Sequence, residues 1–348
     1  MKNNETKFSR RDFMGTTATL VAGLAVAPQL ISVPTILRFY NKPNSMIKGV
    51  QIGVITYSYR SMPDQSIEAM LKYIVDSGIS ATELMGEPAE AFAGVPKSTL
   101  DRRKFFQLSR MQRNGETMTE EQTKELKDLM AQSEDFNKQV AAWRASVSMD
   151  KFAQVKKMFK EAGVKIYGFK PNAFGENNTD AEIEYGLKAA KALGASHVTL
   201  EHPSKDAHTM RLSKLATKHK VYIAYHGHEQ QTPTFWDTAL NQSKYNALNL
   251  DLGHYVAAGN ADPLGIIKAK HDHIMSMHLK DRQTPANGKG NLPWGTGDTP
   301  ITAALQLMRD QKYKFPGSIE LEYQVPEGSD AVKEVAKCFE YCRKALEG

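Results

Sequence analysis

HVTLEHPSKDAHTMRLSKLATKHKVYIAYH, residues 197–226, contains one full unit of an alternating pattern: a short apolar β-rich run at 197–201, an amphipathic helical stretch at 206–218 and a second β-rich run at 221–226. The pattern repeats outward in both directions. Further runs lie at 50–57, 81–85, 165–169, 247–251, 274–279 and 318–322, and helix-like segments at 66–76, 151–162, 180–193, 236–242, 263–270, 300–310 and 330–346. Strict β/α alternation predicts a parallel sheet with right-handed crossovers, and eight repeats predict closure into an α/β (β/α)8 TIM barrel. An open doubly wound sheet competes on alternation alone, but this chain lacks the Gly-rich nucleotide turn such a sheet carries after its first strand.

One connection is long. About eighty residues separate 85 from 165, with a Lys/Arg/Glu/Gln-rich helical pattern at 119–138 opened by Thr119 and Gln122 at capping-box spacing. Residues 88–143, about, are predicted to form a helical insertion after the second strand, at the catalytic mouth of the barrel. It would act as a lid, or as a solvated arm or dimer contact of a homo-oligomer.

The balance of 24% charged and 41% hydrophobic residues in 348 suits a globular protein with a full core and excludes a disordered or collagen-like chain. The formal charge of +6 falls to +4 without residues 1–27, and the remainder is scattered among acidic neighbours, so nothing points to nucleic acid as a partner. Cys338 and Cys342 lie four apart in the last helical segment, a spacing that suits packing on one face better than an unstrained disulfide.

The start of the chain has its own character. Ser9-Arg10-Arg11-Asp12-Phe13-Met14 precedes a mildly apolar run ending in Ala25-Val26-Ala27. This resembles a twin-arginine export signal with a small-x-small cleavage pattern, which implies a periplasmic or exported protein with no membrane contact after signal removal. The expected organisation is a signal peptide at 1–27, a linker at 28–48 and the barrel at 49–348.

Catalytic groups of such a barrel sit at the carboxyl ends of its strands. Here those ends carry Glu83, Lys170, Glu201-His202, His226-Gly227-His228-Glu229, Asp251 with His254, His278-Leu279-Lys280-Asp281 and Glu320-Leu321-Glu322. Any one of these groups suits a structural role, but converging Asp, Glu and His side chains suit a divalent metal: Mn, Co, Zn or Mg.

Leu250-Asp251-Leu252-Gly253-His254, Met277-His278-Leu279-Lys280-Asp281-Arg282, Trp294-Gly295-Thr296-Gly297-Asp298 and Ile319-Glu320-Leu321-Glu322 resemble the sugar phosphate isomerase/epimerase family of xylose-isomerase-like barrels. The resemblance implies a metal-dependent isomerase or epimerase acting on carbon next to a carbonyl, with Asp251, His278 and Glu322 as metal ligands. Epimerases of the family place a glutamate at the end of strand five, where this chain has His226. Glu201, at the end of strand four, is therefore expected as the fourth ligand, with His226 as the alternative. His228 and His254 match family histidines that contact substrate hydroxyls or orient ligands. Lys170 and Glu83 are wall positions for substrate, joined by Lys280 and Trp294 of the quoted motifs.

The chemistry expected is abstraction of a proton beside a carbonyl, giving an enediolate. Glu322 is expected as base, with Glu201 and His254 as further catalytic groups, and Glu320 as a deeper structural carboxylate paired with Lys280 or a histidine. The same first half-reaction serves elimination from a 3-keto-glycoside, which export would favour over a sugar phosphate. A carbohydrate-binding barrel without turnover would not need Asp251, His278 and Glu322 together, and an abasic-site nuclease would need more histidine ligands and a basic DNA-facing groove.

Overall fold

The computed structural model describes residues 42–348; the expected export signal and most of the linker, at 1–41, lie outside the described residues. Eight parallel strands form the barrel: β1 Val50–Ile55, β2 Ala81–Met85, β3 Lys165–Lys170, β4 His197–Glu201, β5 Tyr222–His226, β6 Asn246–Asp251, β7 Ile274–Leu279 and β8 Gly317–Ile319. Each pairs in parallel with its neighbours, and β8 pairs with both β7 and β1, so the sheet closes as expected. A two-residue strand, Met46–Ile47, adds an antiparallel edge to β1.

Alternation along the strands sorts side chains to two sides. Val198, Leu200, Ile223, Tyr225, Leu248, Leu250, Met277 and Leu279 join the buried apolar layer under the helices. Each contributes about 1.5–3 kcal/mol by leaving water. Their neighbours, His197, Thr199, His226, Asn249, Asp251, Ser276, His278 and Ser318, are equally buried but polar. The interior of this barrel is thus held largely by hydrogen bonds, where branched apolar side chains are the usual filling. His197 Nε2 meets Ser276 Oγ at 3.1 Å, Asn249 Nδ2 donates to Ser276 Oγ at 2.7 Å, and Tyr167 donates to Ser318 Oγ at 2.7 Å.

Irregularities aim particular groups. The pairing of β2 with β3 shifts between Thr82 and Glu83, and that of β6 with β7 between Leu248 and Asn249; such shifts turn a side chain relative to a regular ladder. Gly168 makes room for the result, since a Cβ there would lie 3.0 Å from His197 Nε2 and 3.2 Å from Glu83 Cγ.

Between β2 and β3 the chain runs through four helices: Gly86–Phe92, Arg102–Arg113, Glu120–Ser146 and Asp150–Glu161. The third is opened by the Thr119/Gln122 capping box. Its last turn is anchored by Arg144, buried against Glu182 at 3.1 Å and Glu90 at 3.5 Å, and by Trp143 edge-on to Tyr185. This fixes the helix against the barrel flank, and none of residues 88–143 lines the cavity described below. The last helix, Ala331–Glu347, buries Cys338 and Cys342 as free thiols. Among the described residues no helix is long and apolar enough to cross a membrane.

Candidate active site

A cavity of about 660 Å³ opens at the carboxyl ends of the strands, within the size range of small-molecule sites. Its wall includes Tyr57, Lys170, His228, His254, Glu320 and Glu322. Beneath it, three ligand atoms from His226, Asp251 and His278 lie within 4.8 Å of one another, all on buried residues.

Hydrogen bonding settles what each imidazole offers. The Asn249 amide gives its Nδ2 to Ser276 Oγ and, at 3.3 Å, to Glu83 Oε2, which leaves its Oδ1 to accept from His226 Nδ1–H at 2.7 Å. The lone pair of His226 Nε2 then faces Asp251 Oδ2, 4.0 Å away. Burial, followed by the charges of Lys170 and His278, holds the His226 pKa well below its usual value, so the ring is neutral. His254 is the reverse case. Its Nδ1 accepts from Arg282 Nη1 at 2.6 Å, so its proton sits on Nε2, 4.0 Å from Asp251 Oδ2. Burial, then Lys280, His228 and Arg282, depress its pKa to about 2. In this arrangement His254 is a neutral hydrogen-bond donor facing the cavity, although with His226 and His228 it also belongs to a second group of close nitrogens.

His278 stands between two carboxylates, with Nε2 2.9 Å from Glu83 Oε2 and Nδ1 3.0 Å from Glu320 Oε2. Burial alone would lower its pKa; Glu83 and Glu320 push it up to about 10. Glu83 also accepts from Thr199 at 2.6 Å, and burial is outweighed by His278, so it stays ionised. Glu83 behind Nε2 is the kind of partner that orients an imidazole toward a metal, and Nδ1 would ligate once the proton it shares with Glu320 is displaced.

Lys280 completes the centre. Its ammonium lies 2.9 Å from Asp251 Oδ2, 2.8 Å from Glu320 Oε2 and 2.8 Å from Glu322 Oε2. Burial works against its charge, but Asp251, Glu320 and Glu322 raise its pKa. Burial would raise the Glu320 pKa, whereas Lys280 and His278 bring it well below the usual carboxylate range. Asp251 Oδ1 accepts the backbone N–H of His254 at 2.7 Å, while its buried Oδ2 accepts no hydrogen bond and is met by the Lys280 ammonium at 2.9 Å as an ion pair. An orphaned carboxylate oxygen among imidazole nitrogens is a donor set that fits a divalent ion.

Several expected placements differ. Glu322 was the expected ligand beside Asp251 and His278; among the described residues its carboxylate meets Lys280, and it is Glu320 that reaches His278. The reason is strand length: β8 ends at Ile319, so the rim falls at Glu320, two residues earlier than expected. Glu201, the expected fourth ligand, is half-exposed and bound to Lys170 at 3.0 Å, with His228 Nδ1 3.7 Å away. His226, its partner in the β4–β5 register, has the inner place instead. Glu83 lies wholly buried beneath His278 and Lys280 among three carboxylates, so neither lines the cavity as a substrate wall. Trp294 packs edge-on against Tyr341, away from the cavity, because four backbone N–H groups at 295–299 bind the Asp281 carboxylate and fix that loop. Lys170, His228 and His254 do line the cavity. Sequence reasoning missed Tyr57, Asn249 and Arg282; Asn249 was signalled by its place two residues before Asp251, on the same strand face.

A closed parallel barrel with this cluster at its carboxyl end defines a class, and the chain belongs to it: residues 134–342 match the Xylose isomerase-like TIM barrel family. Among solved structures it is similar to a sugar phosphate isomerase/epimerase from Parabacteroides distasonis, 15% identical over 86% of this chain and 95% of that one, TM-score 0.54. It is also similar to a 3-keto-D-glucoside 4-epimerase from E. coli (12% identity, 85% and 99% covered, TM-score 0.55) and to a probable 3-DHS dehydratase involved in petrobactin synthesis from Bacillus anthracis (15%, 83% and 97%, 0.54). At such identities the likeness is one of fold. No curated protein matches the chain.

Proposed function

We propose that this barrel is a metal-assisted isomerase or epimerase that removes a proton from carbon next to a carbonyl of a sugar. The observation that carries the reading is the floor of the cavity, where the orphaned Asp251 Oδ2, the free lone pair of His226 Nε2 and His278 Nδ1 converge beside Glu320. Asp251, His226, His278 and Glu320 would hold the ion. When bound, a divalent ion would supply the positive charge that makes the carbon acid easier to ionise. Glu320, on the cavity wall, accepts the proton; His254 Nε2–H donates to a substrate oxygen; Lys170 and His228 bind hydroxyls at the mouth.

The test is NMR-detected exchange of solvent deuterium into keto sugars, with elemental analysis of the same preparation. Exchange with about one divalent ion per chain supports the reading; a metal-loaded protein that exchanges no keto sugar would leave a binding barrel. Asp251→Ala and His278→Ala are each expected to lose most of the ion, because each removes a ligand atom. His226→Gln is expected to lower metal content more than Glu201→Gln, given the two placements, and the opposite order would return Glu201 to the ligand set.

We also propose export through the twin-arginine route, supported by Arg10 and Arg11 ahead of a weakly apolar run. Lysine at both positions is expected to keep the protein in the cytoplasm on cell fractionation. Undiminished periplasmic protein would end this idea.

A further inference from the structure

The cavity extends beyond the metal cluster, and its wall includes one aromatic residue, Tyr57. Tyr57 follows β1 in a short 3-10 turn, Thr56–Tyr59, whose other members are buried. Tyr57 lines the cavity and is 40% exposed. Arg60 lies over the ring with its guanidinium carbon 4.5 Å from the centroid, and Arg60 Nη1 is itself fixed by donating to Leu321 O at 2.7 Å and Tyr57 O at 3.2 Å. Arg60, which does not line the cavity, thus packs on one face of the ring. A ring held this way is a preformed platform, ordered before any ligand arrives.

The charge of the wall points in a consistent direction. Glu201, Glu229, Glu320 and Glu322 line the cavity against one lysine, Lys170, which Glu201 already holds. Deeper, Lys280 is shared by three carboxylates, and Arg282 is bound to Glu229 at 2.9 Å. Among the described residues no cation lining the cavity is left for a phosphate, whose recognition calls for unshared Arg or Lys donors.

We propose that Tyr57 is a specificity-determining platform on which a second, uncharged ring of the substrate stacks, so that the site takes a neutral glycoside rather than a phosphorylated sugar. This rests on the reading of the cavity as a sugar site. The reacting sugar occupies the floor by Glu320, and the ring attached to it lies across Tyr57 at the mouth.

The test uses the full chain loaded with Mn²⁺ and calorimetric titration with phenyl and methyl glycosides of glucose, galactose and xylose, in both anomers, beside glucose 6-phosphate. At least one phenyl glycoside is expected to bind about tenfold tighter than its methyl counterpart, the size of one ring contact. The ratio should fall to about one in Tyr57→Ala and persist in Tyr57→Phe, while glucose 6-phosphate binds more weakly than any bound glycoside. A ratio near one in the native protein, a ratio unchanged in Tyr57→Ala, preferred binding of the phosphate, or no binding of any glycoside overturns the platform. The two readings fail separately: loss of deuterium exchange with the phenyl ratio intact counts against the reaction, and exchange with free keto sugars without that ratio counts against Tyr57.

Discussion

Glu320→Gln is expected to slow α-proton exchange by 10²- to 10⁴-fold, the usual contribution of a positioned base. Glu320 is the carboxylate that both lines the cavity and touches the inner cluster, with Oε2 shared by His278 and Lys280. The amide keeps the shape but cannot take the proton, and it removes the negative charge that the two cations face. Part of the loss will therefore show as instability, so exchange is measured per folded protein, with thermal unfolding run alongside. Glu322→Gln, two residues further on and bound to Lys280, is expected to cost tenfold or less. Abolished exchange in Glu322→Gln with near-normal exchange in Glu320→Gln would transfer the base to Glu322, the position expected from the sequence.

The second large effect concerns stability. In chelator-treated protein Lys280 is the cation on which Asp251, Glu320 and Glu322 depend, and it is almost fully buried. Lys280→Met keeps the length of the side chain and deletes its charge. Removing one partner from a buried ionic cluster typically costs about 3–5 kcal/mol, because the remaining charges lose compensation without regaining water. Urea unfolding at pH 8 in EDTA reads that loss. Addition of Mn²⁺ should restore a substantial part of it, since the ion neutralises the same carboxylates. A variant as stable as the parent in EDTA would show that these carboxylates do not need the ammonium, and an absence of metal rescue would separate Lys280 from the proposed ion site.

Much of the architecture was legible because it depends on local patterns. Alternating β-rich and amphipathic runs name the strands, and seven of the eight are found within about two residues of their expected ends. The eighth shows the boundary of such reasoning. Residues 318–322 have the composition of a strand throughout, yet the paired strand ends at Ile319, opposite Leu279, the last residue of β7, with the Glu320 N–H still bonded to Leu279 O. Strand length is set by neighbours far away in sequence, and three residues of difference at this strand's end separate the expected position of Glu322 from the proposed one of Glu320.

The sequence by itself determined that the chain closes into a parallel barrel and that acids and histidines gather at one end, since strand direction and the period of two follow from the covalent chain. Only the tertiary structure decided which of those groups meet. Asn249 sets the proton of His226, Arg282 sets that of His254, and Glu83 crosses the barrel interior to hold His278, 195 positions away in sequence. Whether a histidine is a ligand or a donor depends on which nitrogen its neighbour occupies, and that neighbour is chosen by barrel closure rather than by proximity along the chain.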